Sequence, residues 1–232
     1  MKCKNQSDGI MSLVKWYFVT GLTLLNAVCG SLAILFAFSG DYRYSSLMLI
    51  VAVLADQLDG QFARMLKQTS DIGKELDSLC DAISFGVAPM ILIYNIYLET
   101  LGMLGMSIGL LLVSCSVYRL AKFNVINVHE HFLGIPTPVT AGFAIGLVVG
   151  NVVMPAIYIG LMTIALSFLM VSNIRFYNFK NYKSLKNGEK VIISIEAVVV
   201  ILGLFFYPEK LFIVGIAAYV VFAPLVRFLL RE

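Results

Sequence analysis

Six of the chain's fourteen acidic residues fall within 26 positions: Asp56, Asp59, Asp71, Glu75, Asp77 and Asp81. Four of them, Asp56, Asp59, Asp77 and Asp81, interrupt strongly apolar sequence. The first pair is spaced i, i+3 and the second i, i+4, so on helices each pair shares one face. Four carboxylates brought together would repel one another. At about 5 Å and an effective dielectric near 20, a single pair costs roughly 3 kcal/mol. Nearby basic residues could relieve part of this, but Arg64 is the only one within the helices expected over 44–66 and 75–98. Divalent cations do so better, and carboxylate oxygen without imidazole or thiolate suits Mg²⁺ or Mn²⁺, with Ca²⁺ a further option. Two such ions bridged by carboxylates form a clamp for in-line phosphoryl displacement. Gly60 and Gly73, beside the two pairs, would let a ligand approach the helix backbone.

The surrounding sequence must hold these groups in a membrane. Of the 232 residues, 59% are hydrophobic and only 13% charged, against about half and a quarter in soluble domains. Apolar runs of roughly 20 residues have the length of a helical span. A soluble enzyme, a disordered tail and a disulfide scaffold are excluded, and so is a β-barrel, whose strands would alternate polar and apolar. No CxxC pair occurs among the four cysteines, so no zinc site is read. The N-terminus shows no cleavage site after a short apolar run and reads as no signal peptide.

The chain is therefore expected to be an all-α, polytopic membrane protein with about eight transmembrane helices. Residues 11–39 exceed one span, being about 43 Å long at 1.5 Å per residue. They are divided into a short interfacial helix over 11–20, with Lys15, Trp16 and Tyr17, and a first span from Gly21 to Ser39. Further spans are expected near 44–66, 75–98, 101–123, 138–151, 153–173, 190–206 and 209–230. The whole of 1–232 reads as one integral-membrane domain, with 1–20 as its end and 21–230 as its bundle. With both termini in the cytoplasm, fifteen of the seventeen basic residues fall inside and only Arg43 and Lys210 outside. That asymmetry sets the orientation and puts the acidic pairs on the cytoplasmic side.

The segment DQLDGQFAR from Asp56 to Arg64, eight residues, then GKELDSLCD from Gly73 to Asp81, fills every position of DxxDGxxAR…GxxxDxxxD. It resembles the signature of the CDP-alcohol phosphotransferase family. Within that family the chain is similar to the phosphatidylserine synthase branch. The supporting segments are Leu22 to Gly30, Tyr118 to Asn124 and Phe132 to Pro138, with Lys122 and Ile135 as mild departures from the branch's RLARFN and FxGLPxP.

The resemblance implies transfer of a phosphatidyl group from a CDP-linked lipid to L-serine, with release of CMP. It assigns Asp56, Asp59, Asp77 and Asp81 to two divalent cations, and gives Asp81 the further role of taking the serine hydroxyl proton. Thr23, Asn26, Asp59, Gly60, Ala63, Arg64 and Gly73 become the CDP-lipid contacts. Arg119, Lys122 and Asn124 become candidates for holding serine or phosphate, against a plainer role as interfacial anchors. A homodimer in the bilayer is implied, and no nucleic-acid partner. A lipid substrate fits the location, since its tails stay in the bilayer while its head reaches the helix ends.

Other readings remain beside this one. Membrane polyprenyl transferases also bind Mg²⁺-pyrophosphate through Asp-rich helices, but their NDxxDxxxD form is absent. A sister enzyme using glycerol 3-phosphate or inositol phosphate would want more cations near the site than Arg119 and Lys122. A cation transporter using the four Asp residues is the non-catalytic rival. His129 and His131 read as loop residues, Glu196 as a packing contact, and Lys180 to Lys190 as attraction to anionic lipid.

Overall fold

The computed structural model describes residues 3–66, 70–125, 132–172 and 175–176. These form a helical bundle whose helices are α1 (Cys3–Phe38), α2 (Tyr42–Leu66), α3 (Asp71–Asp81), α4 (Ala88–Ile96), α5 (Met103–Val125), α6 (Pro138–Val149) and α7 (Ala156–Val171). A two-residue antiparallel pairing joins Phe132–Leu133 to Arg175–Phe176. Among the described residues, Val14–Phe38, Tyr42–Leu66, Asp71–Ile96 and Met103–Val125 are long and apolar enough to cross a membrane. The helices near the expected fifth and sixth spans have 12 and 16 residues. The last two expected spans, the histidines, the Lys180 to Lys190 cluster and Glu196 lie outside the described residues.

The division at residue 20 is corrected. Helix α1 runs unbroken through Gly21 for 36 residues, about 54 Å, so its first turns extend well beyond a single span. Nothing at residues 20–21 stops it. Glycine alone weakens a helix by about 1 kcal/mol, and breaking one takes a proline or competing cap. Among the described residues, no neighbour presses on Gly21 either.

Helix α1 packs most extensively on α2, α7 lies against α5, and α6 against α2 and α4. The main core, built on Ala33, Leu49, Leu92, Ile93, Leu112 and Phe143, fills the bundle away from the acidic residues. A smaller cluster of Cys29, Ala52, Phe85 and Ala141 lies one helical turn from Asn26, Asp56 and Asp81 and forms the apolar floor under them.

A π-helical turn, Ala82–Val87, follows Asp81 directly. Such turns need support from outside the helix, and the reason for this one begins with Pro89. Lacking an N–H, Pro89 cannot donate to the Phe85 carbonyl four residues back; the Thr140 hydroxyl of α6 donates there instead. On the other side, α1 approaches so closely that a Cβ at Gly30 would lie 2.7 Å from the Ser84 backbone. Gly30→Ala is therefore expected to push the turn away from α1, costing about 1–3 kcal/mol of stability by overpacking. A thermal melt in detergent checks this; an unchanged Tm would show that the helices part freely there.

Candidate active site

Two helices bring the acidic residues together. Asp56 and Asp59 project from α2 and Asp77 from α3, and one carboxylate oxygen of each lies within 4.8 Å of the others. Asp59 is only 4% exposed. Asp59 Oδ2 and Asp77 Oδ1 are buried without a hydrogen-bond partner among the described residues. A buried carboxylate oxygen left unmatched costs several kcal/mol unless something positive meets it. The trio therefore fits a hard divalent cation by donor chemistry, spacing and unmet oxygens together.

Asp81 stands beside the trio rather than in it. It is buried, and its Oδ1 accepts a hydrogen bond of 3.0 Å from Asn26 Nδ2 of α1. Asp56, Asp77 and Asp59 all lie within electrostatic reach. Asn26 is fully buried, so its grip fixes one oxygen of Asp81, and the Asp56 carboxylate lies within hydrogen-bonding reach of the same side chain. The resemblance gave Asn26 to the nucleotide; the structure places it on Asp81.

Next to the trio opens a cavity of about 520 Å³. Thr23, Asp59, Gly60, Ala63, Arg64 and Gly73, six of the seven expected CDP-lipid contacts, line it, and Asn26 does not. Gly60 and Ala63 keep the α2 wall low. Gly73 has a different reason: Ser70 caps α3, accepting from Gly73 N at 3.0 Å, and a Cβ on Gly73 would meet the same hydroxyl at 3.0 Å. Trp16, Val19, Thr20, Ser70, Asp71, Lys74, Leu76 and Asp77 complete the lining. Several of these were legible as a stripe, since Trp16, Val19, Thr20 and Thr23 share one face of a helix. Dividing α1 at residue 20 hid it.

The third group lies apart from this cavity. Arg119 on α5 is 8% exposed, and its Nη1 donates to Thr137 Oγ1 at 3.3 Å. Asn124 clasps α5 to α3: its Nδ2 donates to Ser78 Oγ at 2.9 Å and to Glu75 Oε2 at 3.3 Å. Lys74 Nζ donates to the Asn124 carbonyl at 3.2 Å. Lys122, one turn along from Arg119, is half-buried. Neither Arg119, Lys122 nor Asn124 lines the cavity, and Asn124 serves to hold α3 in place.

Comparison with known proteins decides what kind of site this is. The family model for CDP-alcohol phosphatidyltransferases matches residues 16–179, well over half of the chain. The chain belongs to that family. Among similar CDP-alcohol phosphatidyltransferases is the CDP-diacylglycerol–serine O-phosphatidyltransferase of Bacillus subtilis, 36% identical over 175 residues, covering 74% of this chain and 97% of that one. The archaetidylserine synthase of Methanothermobacter thermautotrophicus is 36% identical over 162 residues, 67% of each chain. A CDP-diacylglycerol–serine O-phosphatidyltransferase from Methanocaldococcus jannaschii is 33% identical over 161 residues, 69% of this chain and 73% of its own. The matched stretch contains the carboxylate trio, Asp81 and every lining residue of the cavity.

Proposed function

We propose that this CDP-alcohol phosphatidyltransferase moves the phosphatidyl group of a CDP-linked lipid onto the hydroxyl of L-serine and releases CMP. The carrying observation is the junction of the carboxylate trio with a cavity lined by Arg64 and low-walled glycines. Serine is supported by the bacterial and archaeal relatives, both of whose names specify a serine lipid product or serine transfer. Because one is an archaetidyl and the other a diacylglycerol enzyme, the acceptor reading does not depend on the lipid tails.

Asp56, Asp59 and Asp77, with Asp81 beside them, would hold two divalent cations, Mg²⁺ or Mn²⁺. Bound there, such ions would neutralise pyrophosphate charge and stabilise the leaving phosphate. Arg64 supplies a fixed cation to the same group from the cavity wall. A carboxylate oxygen of Asp81 takes the hydroxyl proton as the serine oxygen bonds to the lipid-side β-phosphorus. The bond from that phosphorus to the bridging oxygen breaks, and CMP departs with the electron pair. Asn26 keeps Asp81 aimed throughout.

The site is proposed to face the cytoplasm, supported by Arg64, Lys74, Arg119 and Lys122 at its end of the bundle and by the water-soluble acceptor and product. A homodimer is the proposed unit, supported by the family resemblance. Arg64→Ala is expected to raise the CDP-lipid requirement about tenfold or more, the effect of losing one charge-assisted bond to phosphate. Unchanged kinetics at limiting CDP-lipid would place Arg64 outside the reaction.

Acceptor competition tests the whole reading. Purified protein with CDP-lipid and Mn²⁺ receives equal serine, glycerol 3-phosphate and inositol phosphate, and the lipid product is identified by mass. A serine-bearing product is expected. A product carrying glycerol phosphate or inositol phosphate overturns serine as acceptor while keeping the family chemistry.

A further inference from the structure

Trp16 is the chain's single tryptophan, and it lies outside the acidic signature. Its neighbours Tyr17 and Phe18 are exposed, whereas Trp16 is half-buried in the cavity wall. Thr23 shares that wall seven residues on, about 10 Å along the helix axis. The cavity is thus graded along α1. Thr23, hydrogen-bonded to Asp59, marks its carboxylate end, and seven residues away on the same helix stands the indole.

The indole is also held in place. Tyr17 packs edge-on against it, with centroids 5.0 Å apart and rings at 78°. One residue further, Phe18 meets Phe62 of α2 at 5.3 Å and 86°, so this turn of α1 is fixed against the opposite wall. Opposite α1, Gly60 and Ala63 are too small to fill the space. A long ligand with charge at one end and a flat aromatic group at the other matches the gradient.

We propose that Trp16 binds the nucleobase of the CDP-lipid, its indole stacking on the pyrimidine while the pyrophosphate lies toward the carboxylates. This rests on the transferase reading above. Stacking on an aromatic side chain is sequence-tolerant and strong enough to change affinity about tenfold. The plainer role for such a tryptophan is anchoring at the membrane interface, which would touch neither nucleotide affinity nor its own response to nucleotide.

The full chain in detergent with Mg²⁺ is titrated with CMP while tryptophan emission, which reports on Trp16 alone, is followed. A saturable change in emission is expected. Trp16→Ala is expected to raise both the KM for CDP-lipid and the CMP inhibition constant about tenfold with the KM for serine unchanged. Trp16→Phe is expected to restore much of both. An enzyme that turns over but whose emission ignores saturating CMP overturns this inference alone, as does a Trp16→Ala protein with normal CMP inhibition. A chain releasing no CMP from CDP-lipid overturns the transferase reading and this inference with it.

Discussion

Asp81→Asn is expected to abolish measurable transfer, lowering kcat by about 10²- to 10⁴-fold, the usual contribution of a positioned general base. The substitution is close to isosteric. Asn26 Nδ2 can still donate to the amide oxygen, as it does now to Asp81 Oδ1 at 3.0 Å, so the side chain keeps its place. What disappears is the capacity to accept a proton. CDP-lipid binding should accordingly persist, and isothermal titration with CMP should match the parent protein. Asp59→Asn provides the contrast. It removes a buried charge from the trio, so its defect should shrink as Mn²⁺ is raised, whereas at saturating Mn²⁺ the Asp81→Asn loss should remain, because the amide still cannot take the proton. An Asp81→Asn enzyme retaining more than a tenth of the parent rate would move the base elsewhere.

The acidic centre was legible in sequence because charge in apolar helices is costly enough to demand a purpose. Spacing put Asp56 with Asp59 and Asp77 with Asp81 on shared faces, and α2 and α3 bring Asp56, Asp59 and Asp77 together. Asn26 was visible as a polar residue in a span, but nothing local could tell a nucleotide contact from a partner 55 residues away. The π-helical turn was equally hidden. Pro89 hints at a missing hydrogen bond, yet its replacement comes from Thr140, and the room for it from Gly30. The same limit applies to Asn124. The resemblance made it a candidate for holding serine or phosphate, and only the fold shows its hydrogen bonds to Ser78 and Glu75. The continuity of α1 is a different case. Span length alone argued for a break, although a helix needs a chemical reason to stop and none is present at residue 21.

Removing divalent cations is expected to end transfer completely, with activity returning on addition of Mg²⁺ or Mn²⁺. Three carboxylate oxygens within 4.8 Å make three mutually repelling pairs, each worth roughly 3 kcal/mol at an effective dielectric near 20. The unmet oxygens of Asp59 and Asp77 have no hydrogen-bond partner among the described residues to offset this. Chelation should therefore also lower the melting temperature. A cation at 100 times its Kd stabilises the folded state by about 2.7 kcal/mol through linkage, so the melting temperature should rise with metal concentration. Asp77→Asn then separates charge relief from general damage. With one charge gone, the metal-free variant should melt higher than the metal-free parent, yet gain less from added Mn²⁺ and transfer little. A metal-free Asp77→Asn protein that melts below the metal-free parent would mean that repulsion is not what the cations relieve. Full turnover in excess EDTA would remove the metals from the reaction altogether.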